Sequence, residues 1–211
     1  MNIGDVPEAV VKRLSAYYRN VCRMEAEGFE KITSAMLAEK IGNTSVQVRQ
    51  DFHMCGGIED YNIASLKKRL RELLGICGKH SMVVVGAGNL GRAIISYKDF
   101  EKDGFFIDAI FDNDLMYEGI QINGIPIMNI RLFEKYLESN ETDIVVIAVP
   151  EKAAEEIYRK AVKCKVKGIW NFAPVDLQSV DGVQVRNVHL GDSLMTLSFR
   201  INETEYLKST M

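Results

Sequence analysis

The sequence lacks long apolar runs, paired cysteines and an apolar segment at its N-terminus. In its 211 residues the longest apolar stretches, such as 144–150, fall well short of the roughly 18 residues that a membrane-spanning helix needs. Its four cysteines form no Cys-x-x-Cys pair; they are Cys22, Cys55, Cys77 and Cys164. We therefore expect no metal site, no membrane segment and a reducing, cytoplasmic compartment.

An excess of basic charge is also missing. The chain has 26 Lys and Arg against 29 Asp and Glu, a formal net charge of −3, which argues against a uniformly basic nucleic-acid module. The balance is uneven, because residues 1–80 carry 12 basic and 10 acidic side chains and residues 81–211 carry 14 and 19. The net charge is thus an average over a mildly basic part and a clearly acidic one.

The spacing of apolar residues changes character near residue 80. Before it, apolar side chains recur at helical spacing, which predicts a mostly helical segment. After it, short runs rich in Val, Ile and Phe alternate with stretches that suit helices, a pattern typical of βαβ units and a parallel sheet. The predicted strands are 82–85, 105–111, 143–150, 168–172 and 183–189, and the predicted helices among them are 89–97, 130–139 and 151–163.

This change predicts an α/β protein with a helical domain, a parallel-sheet domain and a C-terminal helix. The segment 75–80 contains two glycines and is the predicted hinge. The last helix, over 192–207, places Leu194, Leu197 and Ile201 on one stripe, which must be buried against another surface. The three expected parts are 1–80, 81–190 and 191–211.

A glycine-rich turn joins the first predicted strand to the helix that follows it. Gly86 permits the tight turn, Gly88 lets the backbone approach a pyrophosphate, and Gly91 allows close packing of helix on strand. Asp112 ends the second predicted strand, where a carboxylate bonds a ribose 2′-hydroxyl and favours NAD(H) over NADP(H). A plain glycine turn beside a solvated aspartate is the alternative. The candidate cofactor residues here are Gly86, Ala87, Gly88, Asn89, Leu90, Gly91 and Asp112.

Two further strand ends are predicted to face the same crevice. Val149 and Pro150 follow one strand, and Phe172, Ala173 and Pro174 follow the next. Ligands of open α/β sheets bind at the carboxyl ends of the strands, so these five residues are also candidates for cofactor binding. Alternatively, each proline only terminates its strand.

Few side chains in the second half suit acid–base catalysis. Of three histidines only His189 lies beyond residue 81, at the end of the last predicted strand. A dehydrogenase needs a proton donor or acceptor beside the nicotinamide, and residues 81–190 leave little room for a substrate domain. The sequence therefore favours a nucleotide that is bound without reacting and predicts no catalytic residue. An NAD-dependent oxidoreductase that uses His189 is the alternative.

Residues 31–52 predict two short helices joined by a turn at Gly42 and Asn43. In the second helix Val48 and Phe52 form an apolar pair that would face the core. The opposite side then presents groups that bond base edges and phosphates. An ordinary helical hairpin with a solvated polar face is the alternative. Either Thr44 or Ser45 caps this second helix. The candidate DNA-binding residues are Thr44, Ser45, Gln47, Arg49, Gln50 and His53.

Several longer motifs are spread over the whole chain; they are 6–9 (VPEA), 47–51 (QVRQD), 84–93 (VVGAGNLGRA), 111–112 (FD), 147–150 (IAVP) and 171–175 (NFAPV). Together they resemble the Rex family of bacterial redox-sensing transcriptional repressors. The resemblance implies a winged helix that binds operator DNA, a Rossmann domain that binds NAD(H), and a C-terminal helix swapped between the subunits of a homodimer. It also implies a switch contact in which the position of His189, an aspartate in the family, engages Tyr97 in one state and Arg19 in the other. Tyr97 and His189 are therefore added to the candidate cofactor-binding residues.

The chain departs from the family pattern at several of these places. The segment 54–61 is several residues shorter than the family's wing and carries Glu59 and Asp60, which would repel phosphates. Gln50 stands where the family has a lysine, and His189 replaces the switch aspartate.

Three hypotheses follow from these residues. The first is a homodimeric transcriptional repressor that binds operator DNA and responds to the NADH/NAD⁺ ratio. The second is a relative that keeps the NAD(H) site and has altered or lost DNA binding, and the third is the oxidoreductase.

Overall fold

The chain divides into two compact units between Gly78 and Lys79. The computed structural model describes residues 6–180 and 182–209. The first unit has four helices in its described part: α1 (Glu8–Ala26), α2 (Ser34–Ile41), α3 (Ser45–Met54) and α4 (Ile63–Leu74). The second unit contains, in chain order, β1 (His80–Val85), α5 (Asn89–Ile95), α6 (Asp99–Lys102), β2 (Phe105–Asp112), β3 (Gln121–Ile122), β4 (Ile125–Asn129), α7 (Phe133–Ser139), β5 (Ile144–Ile147), α8 (Glu151–Lys163), β6 (Gly168–Asn171), β7 (Gln184–Asn187) and α9 (Leu190–Ser209).

Local side-chain chemistry sets the helix ends in the first unit. The Thr33 hydroxyl accepts a hydrogen bond from the Met36 N–H at the start of α2, and the Thr44 hydroxyl accepts one from the Gln47 N–H at the start of α3. Gly42 ends α2 with φ of 67°, a left-handed conformation that glycine adopts without strain. The predicted helix–turn–helix is therefore present as α2 and α3.

The core of the first unit lies where the helices cross. Phe52 of α3 is fully buried and meets the ring of Tyr17 edge to face, with 5.3 Å between ring centroids. Val48 is buried beside it on the same side of α3, as the i, i+4 spacing predicts. Leu37 from α2 and Leu66 from α4 are also fully buried, so each of the four helices contributes buried apolar side chains.

A loop rather than a hairpin joins α3 to α4. In the described part of the first unit, the strand-like pairing is limited to one isolated antiparallel bridge, between Lys31 and Asn62. Gly56 and Gly57 both have positive φ and turn the chain out of α3. Glu59 lies exposed in the segment that follows. The wing thus reduces to a short loop beside one bridge.

The second unit is built on a seven-stranded sheet of order β3-β4-β2-β1-β5-β6-β7. All neighbouring strands are parallel except β3, which pairs with β4 antiparallel. Leaving β3 aside, this is the strand order of the Rossmann fold, with its switch point between β1 and β5. The crevice at the carboxyl ends of β1 and β5 is therefore the expected place for a ligand.

Alternate residues of β1 contribute to two separate hydrophobic cores, one on each face of the sheet. Val83 and Val85 point into a core that also holds Phe111 and Phe133. Met82 and Val84 point to the opposite face. The sheet is therefore covered on both faces, as parallel sheets require.

The α/β architecture agrees with the sequence prediction, and most differences concern the ends of elements. The strand predicted over 143–150 ends at Ile147, because Pro150 already caps α8. The strand predicted over 183–189 is confined to Gln184–Asn187, and α9 begins two residues earlier than expected, at Leu190. Of the helix predicted over 130–139, the first three residues form a 3₁₀ turn.

Within the described residues, no helix combines the length and apolar character that crossing a bilayer requires.

Candidate functional site

The glycine-rich turn after β1 leaves no room for side chains at two of its positions. A Cβ on Gly91 would lie 1.8 Å from the carbonyl oxygen of Gly86. Gly86 itself has φ of 104°, and a Cβ there would lie 2.3 Å from the carbonyl oxygen of Ala148. A Cβ on Gly88 would meet nothing within 4 Å. The turn thus packs tightly against β5 and α5 at Gly86 and Gly91 and is open at Gly88, where a phosphate would approach.

Asp112 holds this turn at the end of β2. Its Oδ2 accepts a hydrogen bond from the Ala87 N–H at 2.6 Å, and its Oδ1 accepts one from the Asp114 N–H at 2.8 Å. Arg92 closes the turn from the other side, donating from Nε to the Ala87 carbonyl oxygen at 2.7 Å. The carboxylate predicted to bind a ribose therefore also has a structural role.

A cavity of about 610 Å³ opens above the turn. Five of the predicted cofactor residues line it; they are Gly86, Gly88, Asp112, Val149 and Pro150. They come from the ends of β1, β2 and β5, so the sheet brings together residues that lie up to 64 positions apart in the sequence. A cavity of this size at a switch point is typical of nucleotide sites.

Sequence reasoning missed the cationic side chains around this cavity. Lys152 and Lys160 line it from α8, together with Glu156, and Nζ of Lys160 lies 2.6 Å from Glu156 Oε1. Arg131 lines it from the turn after β4. Tyr117 also lines it, and its ring lies under the guanidinium of Arg92, 4.6 Å from ring centroid to Cζ. The three α8 residues recur at helical spacing, which is the signal that could have found them.

The other predicted cofactor residues do not line this cavity. Tyr97 and Phe172 belong to a row of aromatic rings that runs through Phe100 and Trp170 on one face of the sheet. Neighbouring ring centroids in this row are 4.6–5.8 Å apart. Tyr97 remains 54% exposed, so its ring is available to a ligand or to another chain.

The loop after β6 is shaped by a buried asparagine that sequence reasoning did not single out. Asn171 donates from Nδ2 to the Val175 carbonyl oxygen and to Asn187 Oδ1, and its Oδ1 accepts from the Ala173 N–H. The Ala173 side chain is buried in the core, and its role as a contact residue stays a prediction. Pro174 is exposed at the tip of the loop.

His189 forms an ion pair just before α9. Its Nε2 lies 2.8 Å from Asp176 Oδ1, and this hydrogen bond raises the pKa of His189 above its ordinary value. Asp192 adds a smaller electrostatic contribution in the same direction. His189 thus connects the loop after β6 to the first turn of α9, and contact with Tyr97 is not among its interactions in the described chain.

In the first unit, a buried carboxylate organises the inner side of α3. Asp51 is fully buried and accepts two hydrogen bonds from Arg13, at 2.6 and 2.8 Å, and one from the Tyr17 hydroxyl at 2.7 Å. Gln47 donates to the same carboxylate from Nε2, at 2.8 Å. Burial raises the pKa of Asp51, but the hydrogen bonds from Arg13, Tyr17 and Gln47 outweigh it and leave that pKa lowered.

Five of the six predicted DNA-binding residues agree with an outward or capping position. Thr44 caps α3, Ser45 is half-buried, and the exposed ones are Arg49, Gln50 and His53. Arg49 also donates from Nη1 to Ser34 Oγ at 3.3 Å, which connects it to α2. Gln47 differs, because its amide is turned toward Asp51 instead of solvent; the sequence offered no sign of the distant partners that hold it there.

Helix α9 exposes many apolar side chains in the single chain. The stripe predicted from Leu194, Leu197 and Ile201 is present, and each of these side chains is at least half exposed. Met195 and Phe199 are exposed as well, so the apolar surface extends around the helix. An exposed apolar surface of this kind is typical of an interface with another protein chain.

Two family models match the chain. The model described as "CoA binding domain" matches residues 78–175, and the one described as "Putative DNA-binding protein N-terminus" matches residues 5–53.

Curated relatives and solved structures match over nearly the whole length. The redox-sensing transcriptional repressor Rex of Clostridium tetani is 39% identical over 205 residues, which is 95% of this chain and 97% of that protein. The Rex repressor of Caldanaerobacter subterraneus is 37% identical, with 96% and 92% covered. The crystal structure of RSP in complex with β-NADH has a TM-score of 0.90 at 36% identity, covering 98% of this chain and 99% of that one. RSP in complex with β-NAD⁺ and operator DNA has a TM-score of 0.88 at 37% identity, covering 97% and 96%.

Proposed function

Since the chain belongs to the Rex family of redox-sensing transcriptional repressors, we propose that it binds operator DNA as a homodimer and responds to the NADH/NAD⁺ ratio. The main support for this proposal is that one chain contains both the α2–α3 helix–turn–helix and a nucleotide cavity above a Gly-x-Gly-x-x-Gly turn. The relatives described as complexes with NADH, and with NAD⁺ and operator DNA, support both halves of it. It acts in the cytoplasm, where DNA and NAD(H) occur together.

The nucleotide site is the cavity at the ends of β1, β2 and β5. The tight packing at Gly86 and Gly91 and the open approach at Gly88 fit a pyrophosphate beside the turn. Asp112 is placed to accept a hydrogen bond from the adenosine ribose, since a carboxylate oxygen accepts more than one donor. The proposed contacts that complete the dinucleotide site are Ala87, Asn89, Leu90, Tyr97, Val149, Pro150, Phe172, Ala173, Pro174 and His189.

The bound nucleotide supplies its redox state as a signal, and the protein carries out no turnover. A ligand shifts an equilibrium between two dimer states only by its differential affinity for them, so NADH and NAD⁺ must bind the two states unequally. We assign no catalytic residue. The second unit has two histidines, of which His80 lies in β1 and His189 is paired with Asp176. Rex proteins are regulators, which agrees with this assignment.

DNA binding is assigned to α3, with contacts from Thr44, Ser45, Gln47, Arg49, Gln50 and His53. Arg49 and Gln50 are exposed on the same side of the helix, where they can bond base edges and phosphates. The dimer is assigned to α9, whose apolar faces a second copy would cover by exchange of this helix. A two-fold dimer then reads a palindromic operator.

The decisive experiment is operator selection followed by titration with nucleotide. Random duplexes are selected at low salt with the full chain, and the fluorescence anisotropy of the selected duplex is followed as NADH or NAD⁺ is added. We expect a palindromic sequence whose affinity differs between the two nucleotides. Coenzyme A is the comparison ligand, because one matching family model carries its name. Failure to select any sequence, or equal affinity with both nucleotides, contradicts the proposal.

A second candidate, a nucleotide-binding relative without operator binding, is favoured by the loop before α4. Glu59 is exposed there, and Asp60 Oδ1 accepts a hydrogen bond from the Asn62 N–H, which lowers the pKa of Asp60 and keeps it charged. Two carboxylates at a DNA-facing loop repel phosphates. This candidate predicts NADH binding with no selected sequence, and the Glu59→Gln, Asp60→Asn double variant would then bind DNA more tightly than the native chain.

A further inference from the structure

The exposed residues of α3 form one stripe along the helix. Val46, Arg49, Gln50, His53 and Met54 stand at positions i, i+3, i+4, i+7 and i+8, and all five are exposed. Positions i, i+3 and i+4 from Val48 give the opposite, buried side, with Asp51 and Phe52. Because residues at these spacings share one face of a helix, the surface that α3 can lay into a groove is the Val46 stripe.

Gln47 lies outside this stripe and is already engaged. Its amide donates to Asp51, whose carboxylate is also held by Arg13 and Tyr17. Turning the amide toward a base would take one hydrogen bond from a fully buried carboxylate, which is costly. Gln50, one turn further on, is exposed and is not among the donors to the Asp51 carboxylate. The two glutamines of α3 are therefore not equivalent.

Val46 is the apolar member of the stripe at the start of α3, two residues after the Thr44 cap, whereas Met54 lies at the end of the helix. Exposure by itself would mean little, since single apolar side chains are common on protein surfaces. Its register with Arg49 and Gln50 is informative, because the N-terminal residues of recognition helices contact base edges. The partner of a small apolar side chain in the major groove is the C5-methyl group of thymine.

We propose that Val46 is a base-reading residue that contacts a thymine methyl group in the operator, and that Gln47 is a positioning residue that holds α3 through Asp51. The proposal deepens the DNA-binding function proposed above and rests on it. It adds Val46 to the specificity-determining residues and removes Gln47 from direct base readout, leaving hydrogen-bonded readout to Arg49 and Gln50.

The test of Val46 uses base analogues in the selected operator. Each thymine is replaced in turn by deoxyuridine, which removes only the methyl group, and the dissociation constant is measured by anisotropy. We expect at least one position at which the native chain loses about fourfold in affinity, the equivalent of one buried methyl-sized group at roughly 0.8 kcal/mol. That loss disappears in Val46→Ser and is largely kept in Val46→Thr, which retains one methyl.

The matched control is Val11→Ser, an exposed valine of α1 in the same unit, which should respond to deoxyuridine as the native chain does. Helix content and melting of the variants are compared by circular dichroism, and Val46→Thr keeps the test valid if Val46→Ser folds poorly. Native affinity that is unchanged at every deoxyuridine position overturns the assignment of Val46. So does a loss that persists in Val46→Ser.

The two glutamines are separated by repeating the selection with variants. We expect Gln50→Ala to relax the preferred base at one position of each half-site. We expect Gln47→Ala to weaken all sequences by a similar factor and to leave the preferred sequence unchanged. A changed base preference in Gln47→Ala overturns its positioning role. If the native chain selects no sequence at all, the DNA-binding function itself is wrong; a selected sequence without the expected analogue effects refutes this inference alone.

Discussion

Replacing Asp51 by alanine should destabilise the first unit selectively. The carboxylate is fully buried and receives two hydrogen bonds from Arg13 and one each from Tyr17 and Gln47, so its removal leaves four donor groups without their acceptor. Removing one member of a buried ion pair costs about 3–5 kcal/mol. The Arg13 side chain is 29% exposed and can regain water, which places the loss near the lower end. The buried Tyr17 hydroxyl adds about 1–3 kcal/mol if it stays unpaired. We expect the free energy of unfolding to fall by about 3 kcal/mol if the Tyr17 hydroxyl finds another acceptor, and by about 4–6 kcal/mol if it stays unpaired.

The chain provides its own internal reference for this measurement. Trp170 is the only tryptophan and lies in the second unit, so its fluorescence follows that unit in urea while far-UV circular dichroism follows both. Asp51→Ala should separate an early helical transition from an unshifted Trp170 transition. Glu39→Ala, an exposed acid on α2, is the control and should change stability by less than about 0.5 kcal/mol. A loss below about 1 kcal/mol for Asp51→Ala would refute the reasoning.

The pH dependence supplies an independent check on Asp51. Because its pKa is lowered in the folded protein, its contribution is complete above the ordinary value of 3.8 and is lost as the pH falls through the lower folded value. The difference in stability between the native chain and Asp51→Ala should therefore be constant near neutral pH and shrink in this acidic range. A difference that instead grows on acidification would contradict the assignment.

Three further predictions concern the second unit. Gly91→Ala should destabilise the second unit and abolish NADH binding, because the added Cβ would collide with the backbone of Gly86. Gly88→Ala should leave the melting of this unit unchanged and weaken only NADH binding, as measured by calorimetry. Equal melting temperatures of the two variants would contradict this prediction. The raised pKa of His189 should fall toward the ordinary value of 6.5 in Asp176→Asn, as measured by NMR titration. The ion pair stabilises the folded protein below pH 6.5, and this stabilisation is lost as the pH rises through the folded pKa. An unchanged titration of His189 in the variant would refute the pairing. Deleting residues 190–211 should convert the dimer to a monomer in sedimentation equilibrium, and a dimer that persists would exclude α9 as its basis.

Sequence reasoning located those parts of the site whose physics is local. The glycines of the nucleotide turn are required by backbone geometry, which is why Gly86 and Gly91 could be named before any packing was known. The helix caps act within three residues, and so the sequence limited the cap of α3 to Thr44 or Ser45, of which the structure shows Thr44. Element ends were less certain, because a proline such as Pro150 both ends a strand and begins a helix.

Residues with distant partners were the ones that sequence reasoning misjudged. Gln47 was placed among the outward side chains, but its amide is held by Asp51 together with Arg13, which lies 38 positions away from Asp51. Ala173 was selected as a contact residue from its position after a strand, which stays a prediction; that its side chain is buried and its N–H is bonded to Asn171 could not be read from the sequence. No periodicity in the sequence reports such pairings.

By itself the sequence determined the fold class, the glycine turn and the apolar stripes, because each depends on backbone conformation or on a repeat of two or 3.6 residues. The tertiary structure decided which strand ends converge on one cavity, which cations surround it and which side of α3 is free. Those outcomes depend on the order of strands in the sheet and on the buried charge of Asp51, which bring together residues that are far apart in the chain. The scarcity of basic charge in the sequence was therefore a weak guide to function, since a recognition surface is made by the few side chains that packing leaves exposed.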